Sequence, residues 1–289
     1  MKFHNSFGIY LFLIFFIKYQ CRANVLAEKD EPLKHDFDIF IFTQSWPVSV
    51  CLKWKEKSHA NQCTLPSPKE IWTIHGIWPT KLNTIGPNFC NHSDPFDINQ
   101  IKPIQGQLEQ FWMNVEKNTP LEQLWSHEWE KHGTCAAQLP SLDNENKYFG
   151  QGLKWLQKYS MSSLLSQANI QPGGAYNLTD IYDGLKSELG TDFAVECMFD
   201  RQSGKSYLIE IRICFTKELN LTDCDGILLN NNSSKGWQKV KNIITNCNVH
   251  KEIEYPSVVP RKYEEENSGW KFPFVNLYKL VKMLQWITL

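Results

Sequence analysis

The chain has 289 residues, 42% of them hydrophobic, and 30 Lys and Arg against 31 Asp and Glu give a formal net charge of −1. That much apolar material supplies one sizeable core or at most two small ones, and one main domain is the simpler reading. The balanced charge excludes a polycationic surface built for tight electrostatic binding of long nucleic acid, while a grip on a few nucleotides remains compatible with it.

The first 27 residues read as a targeting segment. Lys2 opens a short positive stretch, Phe7 to Ile17 is an almost unbroken apolar run, and small residues follow at Ala23 and Ala27. The run is too short to span a bilayer comfortably, so a removable secretory signal peptide fits better than an anchor. Removal takes away Lys2, Lys18 and Arg22, three cations, and turns −1 into −4. Of nine cysteines, Cys21 lies in this segment. Eight remain: Cys51, Cys63, Cys90, Cys135, Cys197, Cys214, Cys224 and Cys247. An even count in an oxidising compartment implies up to four disulfides, with about 105 possible pairings that spacing alone does not resolve. No C-x-x-C pair is present, which argues against a zinc ribbon or a thioredoxin-like site. Glycosylation sequons stand at Asn91, Asn177, Asn220, Asn231 and Asn232, the last two overlapping. On a secreted chain they mark surface loops.

From Phe37 to Thr43 alternation and β-formers predict a strand ending near Pro47, and Ile71 to Trp78 predicts a second, buried strand stopped by Pro79. Ile104 to Lys117 has helical periodicity, with Leu108, Phe111, Trp112 and Val115 on one side. Pro120 is placed to start a helix that runs to about Lys131 and is closed by Gly133. Tyr148 to Gln167 predicts a third helix and Asn177 to Leu189 a fourth. Phe193 to Phe199 and Tyr207 to Phe215 predict a hairpin with Gly204 in its turn, and Ile253 to Tyr255 a last short strand. Helices in the middle and strands at both ends give an α+β domain with a mainly antiparallel central sheet and helices packed on it, stapled by disulfides. The domain is expected to run from residue 28 to 256. The extension 257–289 ends in an apolar stretch, Trp270 to Leu289, interrupted by Lys271, Lys279 and Lys282. These charges make it a poor membrane span; it reads as an amphipathic helix docked on the domain or, more sharply, as one for a membrane surface or a partner.

Two segments stand out chemically. One is Trp72-Thr73-Ile74-His75-Gly76-Ile77-Trp78-Pro79. The other is Trp125-Ser126-His127-Glu128-Trp129-Glu130-Lys131-His132-Gly133-Thr134-Cys135. On an α-helix residues advance by about 100°, so Glu128, Lys131 and His132 lie about 100°, 40° and 140° from His127, on one broad face. Two imidazoles, a carboxylate and an ammonium beside two tryptophans suit neither a packed core nor an ordinary wet face. His127-Glu128 begins like the zinc motif H-E-x-x-H, but the residue four on from His127 is Lys131, whose charge would repel the metal. His75 on its own reads as a core histidine; its case rests on pairing with the second segment.

Together the two segments resemble the two active-site motifs of the ribonuclease T2 family, in order and at a suitable separation, and Thr43-Gln44-Ser45-Trp46-Pro47 resembles that family's first-strand motif. The resemblance runs from about Asp36 to Pro256. It implies an endoribonuclease acting on single-stranded RNA without a metal or cofactor. The 2′-hydroxyl attacks the adjacent phosphorus and expels the 5′-oxygen; the 2′,3′-cyclic phosphate so formed is then hydrolysed to a 3′-phosphate. Such chemistry needs a base, an acid and positive charge at the phosphate, and histidine suits both proton roles. By the resemblance His132 is the base and His75 the acid, Lys131 and His127 stabilise the phosphorane, and Glu128 orients or polarises. DNA has no 2′-hydroxyl and is not expected to be cut. Trp78 is implied to stack on a base, against an equal reading as core packing. Thr80 replaces an Asp that many relatives place after the Trp-Pro pair to contact the base, so base preference does not carry over. The implied disulfides are Cys51–Cys63, Cys90–Cys135, Cys197–Cys247 and Cys214–Cys224. The route through the secretory pathway implies a secreted or endolysosomal protein. A second reading, motivated by the sequons and the extension, is a glycoprotein ligand that acts by binding a host or cell-surface partner or a glycan receptor.

Overall fold

The computed structural model describes residues 35–58, 60–84, 86–201, 203–227 and 237–260. The chain divides between Asp36 and Phe37, and everything below concerns the unit that begins at Phe37. The predicted signal peptide, the sequons at Asn231 and Asn232, and most of the 257–289 extension lie outside the described residues. The sequons at Asn91, Asn177 and Asn220 are on exposed positions.

The frame is an α+β arrangement around a mostly antiparallel sheet. Its main path runs β2 (Thr73–Thr80), β1 (Ile39–Ser45), β5 (Lys205–Phe215), β4 (Ala194–Asp200), β8 (Ile243–Thr245), β7 (Gln238–Val240). β4–β8 and β5–β9 (Ile253–Glu254) are the parallel pairs; β9 also pairs β3 (Ala175–Tyr176), and β6 (Leu221–Thr222) pairs β5. β5 is the longest strand and joins β1 to β4. The core lies where aromatic residues of β1 and β5 meet a helix: the Trp155 ring stacks on Phe215 at 3.8 Å, with Phe42 beside it.

Several elements differ from the sequence expectation for identifiable reasons. β2 continues through Pro79 to Thr80, because it is a sheet edge and a proline there costs no ladder donor. Pro47 does not merely end β1 but starts helix α1 (Pro47–Lys57), which the alternation around it concealed. The helix expected over 104–117 is only α2 (Gln105–Phe111). Trp112 leaves helical geometry to bury its ring fully and donates from Nε1 to the carbonyl of His75. The predicted third helix is two, α4 (Glu145–Lys158) and α5 (Met161–Gln167), following α3 (Leu121–Glu128). Gln44 of β1 splits them: its amide donates to the Tyr159 carbonyl and accepts from the Met161 N–H, taking over bonds a continuous helix would make. α6 (Leu178–Leu189), the β4–β5 hairpin and β9 lie where the sequence placed them. The four disulfides are those the resemblance implied. The folded body also runs past residue 256, since Val259 packs against Leu52, Met198, Tyr207 and Ile209.

Candidate active site

The site is built from the edge strand β2 and the turn after α3. His75 lies at an irregularity in β2: Thr43 pairs with Gly76 and Gln44 with Ile74, so His75 has no partner on β1. A bulge of this kind re-aims a side chain, here into a cleft of about 570 Å³ that His75 lines with His127 and Glu210. The next residue must be glycine. A Cβ on Gly76 would stand 2.1 Å from Glu128 Oε2 and 2.3 Å from Trp78 Nε1.

α3 does not end at Gly133 as expected. It widens into a π-helical turn, Trp129–Gly133, and continues as Thr134–Ala136. Gly133 keeps helical angles and is no cap; a Cβ there would strike the Trp129 ring at 2.3 Å, so its role is close packing. The turn matters for the chemistry. With i→i+5 bonding, such as the Thr134 N–H to the Trp129 carbonyl, a residue five positions on returns toward the same side. His132 stays near enough to His127 for the two imidazoles to interact. The loop after β2 grips this turn: the Phe89 N–H donates to the Lys131 carbonyl at 2.9 Å, and Cys90 bonds Cys135.

Trp78 holds the two halves together. Its ring centroid is 5.2 Å from that of His75 and 5.7 Å from that of His132, and its Nε1 donates to Glu128 Oε2 at 3.0 Å. The Arg212 guanidinium lies over the same ring at 5.1 Å. Trp78 is thus both half-buried packing and part of the site. Thr80 is buried, and its hydroxyl donates to the Trp78 carbonyl at 3.0 Å, which leaves it only acceptor capacity for a ligand.

The charged groups have sharply different environments. Glu128 is 1% exposed, and burial pushes its carboxyl up to about 7 against the pull of His75, the Trp78 hydrogen bond and Lys131. His132 is driven well below the ordinary histidine range, first by burial and then by Lys131, His127 and His75. Its Nδ1 is buried without a hydrogen-bond partner among the described residues, so Nε2 is the atom left to exchange a proton. His127, on the open side, is lowered by desolvation, Lys131 and His75. His75 moves the other way. Burial opposes its protonation, but Glu210 and Glu128 outweigh burial and Arg212, and the imidazole is raised. Its Nδ1 meets Glu210 Oε1 at 2.7 Å.

Of the five residues expected to carry chemistry, His75 and His127 line the cleft, while buried Glu128 acts on His75, and Lys131, His127 and His75 act on His132. Sequence reasoning missed Glu210 and Arg212. The available signal was Glu and Arg two apart inside an otherwise apolar strand, where both side chains fall on one face. Among the described residues no group of three His, Cys, Asp or Glu side chains stands close enough to hold a metal ion.

The family model described as "Ribonuclease T2 family" matches residues 37–224. The chain belongs to the ribonuclease T2 family. It is 41% identical to ribonuclease Oy of Magallana gigas over 194 residues, 66% of this chain and 88% of that one. To ribonuclease T2 of Sus scrofa it is 34% identical over 194 residues, covering 66% and 90%. Similar solved structures include RNase NT in complex with 5′-AMP (TM-score 0.61, 28% identity, covering 76% of this chain and 98% of that one). Human RNase T2 is another (TM-score 0.59, 28% identity, 76% and 99%). The match ends inside the described body, and β7, β8 and β9 lie beyond residue 224.

Proposed function

We propose that this T2 family member is an endoribonuclease that cleaves single-stranded RNA with His132 as general base and His75 as general acid. The observation that carries the assignment is the pair of imidazoles packed on Trp78 with proton affinities pushed in opposite directions. A lowered imidazole is neutral and ready to take the proton of a 2′-hydroxyl; a raised one is protonated and ready to give a proton to the departing 5′-oxygen. The product of that step is a 2′,3′-cyclic phosphate, and the same pair with roles exchanged adds water to give a 3′-phosphate. Lys131 and His127 supply positive charge for the phosphorane, and Glu128 orients or polarises the groups around it. The cleft beside His75 also carries Lys53 and Lys57, cationic company for a short stretch of RNA backbone despite the balanced overall charge.

A leader over 1–27, a catalytic body from 28 and glycans on the exposed sequons fit a protein sent through the secretory pathway to an extracellular or endolysosomal site. One relative, 35% identical, is named extracellular ribonuclease LE.

His75→Ala and His132→Ala are each expected to lower RNA cleavage by at least ~10² while far-UV circular dichroism and the unfolding temperature stay near wild type. Near-normal turnover by either folded variant would defeat the assignment.

A further inference from the structure

We propose that Glu210 is a positioning residue for His75: its carboxylate, clamped from behind by Arg212, fixes the proton on Nδ1 and aims Nε2 into the cleft as the atom that protonates the leaving oxygen. This rests on the reading of His75 as the acid.

Glu210 is 5% exposed, a burial that a carboxylate tolerates only when fully partnered. It is: Oε1 accepts from His75 Nδ1 at 2.7 Å and from the Ser45 hydroxyl at 3.3 Å, and Oε2 from Arg212 at 2.8 Å. Sheet register sets this up, because Ser45, Glu210 and Glu196 are cross-strand neighbours on β1, β5 and β4. Arg212 also pairs with Glu196, which is 3% exposed, and its guanidinium lies 5.1 Å from the ring centroids of both Trp78 and Trp237.

Two consequences follow from the chemistry of these groups. An ionised carboxylate only accepts, so the Nδ1 that touches Glu210 must carry hydrogen, and the exchangeable site is Nε2. Glu196, Arg212 and Glu210 together carry a net charge of −1, and a protonated His75 brings that group to neutrality. In a low dielectric that imbalance holds the acid in its loaded form until the leaving oxygen needs a proton. Other charged groups face the same corner: Glu128, His127, Lys131 and His132 from the α3 turn, and Lys53, Lys57 and Glu116 along the cleft. Glu128 also favours protonated His75, whereas Arg212, behind Glu210, opposes it; neither touches Nδ1.

The test uses the full chain with Glu210→Gln and Glu210→Asp, the second retaining the charge should the first fail to fold. The His75 Cε1 proton is titrated by NMR, and kcat and KM on a dinucleoside monophosphate are followed against pH. Glu210→Gln is expected to move the His75 midpoint and the alkaline limb of kcat/KM together toward lower pH. It is also expected to lower kcat by ~10-fold or more, with KM changed less than about twofold. Glu210→Asp should fall between Gln and wild type. Folded variants whose His75 midpoint and alkaline limb match wild type would overturn the proposal. His75→Ala, run alongside, separates the two failures: normal cleavage by it removes the acid role and this one together. An inactive His75→Ala with an unmoved midpoint in the Glu210 variants removes Glu210 alone.

Discussion

Replacing Glu128 with Gln isolates one term of the stability of this fold. Glu128 is 1% exposed, and its carboxyl lies at about 7 instead of 4.5, chiefly because burial disfavours the anion. The sign follows from linkage. A group that binds its proton more tightly when folded contributes fully below its unfolded value, here 4.5, and that contribution is lost as pH rises through about 7. A move of that size is worth about 3 kcal/mol, since each tenfold change in proton affinity is about 1.4 kcal/mol. Gln carries no proton equilibrium, and its oxygen can still accept from Trp78 Nε1. Relative to wild type, Glu128→Gln is therefore expected to be nearly neutral at pH 4 and more stable by up to about 3 kcal/mol at pH 8 to 9. For a domain of this size that is a gap of roughly 6–12 °C in unfolding temperature. Thermal and urea unfolding of both proteins across this range measure it. A Glu128→Gln variant that is less stable than wild type by the same amount at every pH would refute the reasoning.

Gly76→Ala forces a Cβ to 2.1 Å from Glu128 Oε2, with Trp78 blocking retreat. It is expected to cost about 1–3 kcal/mol in urea unfolding and, by displacing His75, the proposed acid, together with the Glu128 carboxyl, up to ~10² in turnover. Wild-type stability and rate would contradict the packing described. Removing the Cys90–Cys135 bond as a double Ser variant opens a loop of 45 residues, for which chain entropy gives about 4 kcal/mol, readable in the unfolding midpoint. Activity should fall as well, because the bond ties the π-helical turn to the loop after β2. Excess EDTA is expected to leave the rate of RNA cleavage unchanged, since in the proposed mechanism Lys131 and His127 supply the charge at phosphate; a loss restored by a divalent ion would show otherwise.

The parts of this molecule that were legible beforehand are those whose information is local. Strands 39–45 and 205–215 and the helix 178–189 announce themselves by runs of β-formers or by an apolar stripe. The two motifs likewise pointed to five candidate residues, through the family they resemble. What was hidden depends on partners far along the chain. Gln44 breaks a helix at Tyr159 from more than a hundred residues away. Trp112 abandons its helix to pack beneath His75, and a sheet edge permits Pro79. The π-helical turn is the most instructive case, because no local pattern distinguishes its sequence from a regular α-helix. Gly133 there reads as a stop signal, yet it is present so that Trp129 can pack against the turn. Glu210 and Arg212 escaped notice because charge on a central strand has meaning only once cross-strand register places it behind His75.

The division of labour between the two histidines is tested most directly with a leaving group that needs no proton. A dinucleotide whose bridging 5′-oxygen is replaced by sulfur expels a thiolate, which leaves without general-acid help. On this substrate His75→Ala is expected to recover to within about tenfold of wild type, although it loses at least ~10² on the oxygen substrate. His132→Ala should stay impaired on both. Equal losses for His75→Ala on the two substrates, or recovery by His132→Ala instead, would contradict the assignment.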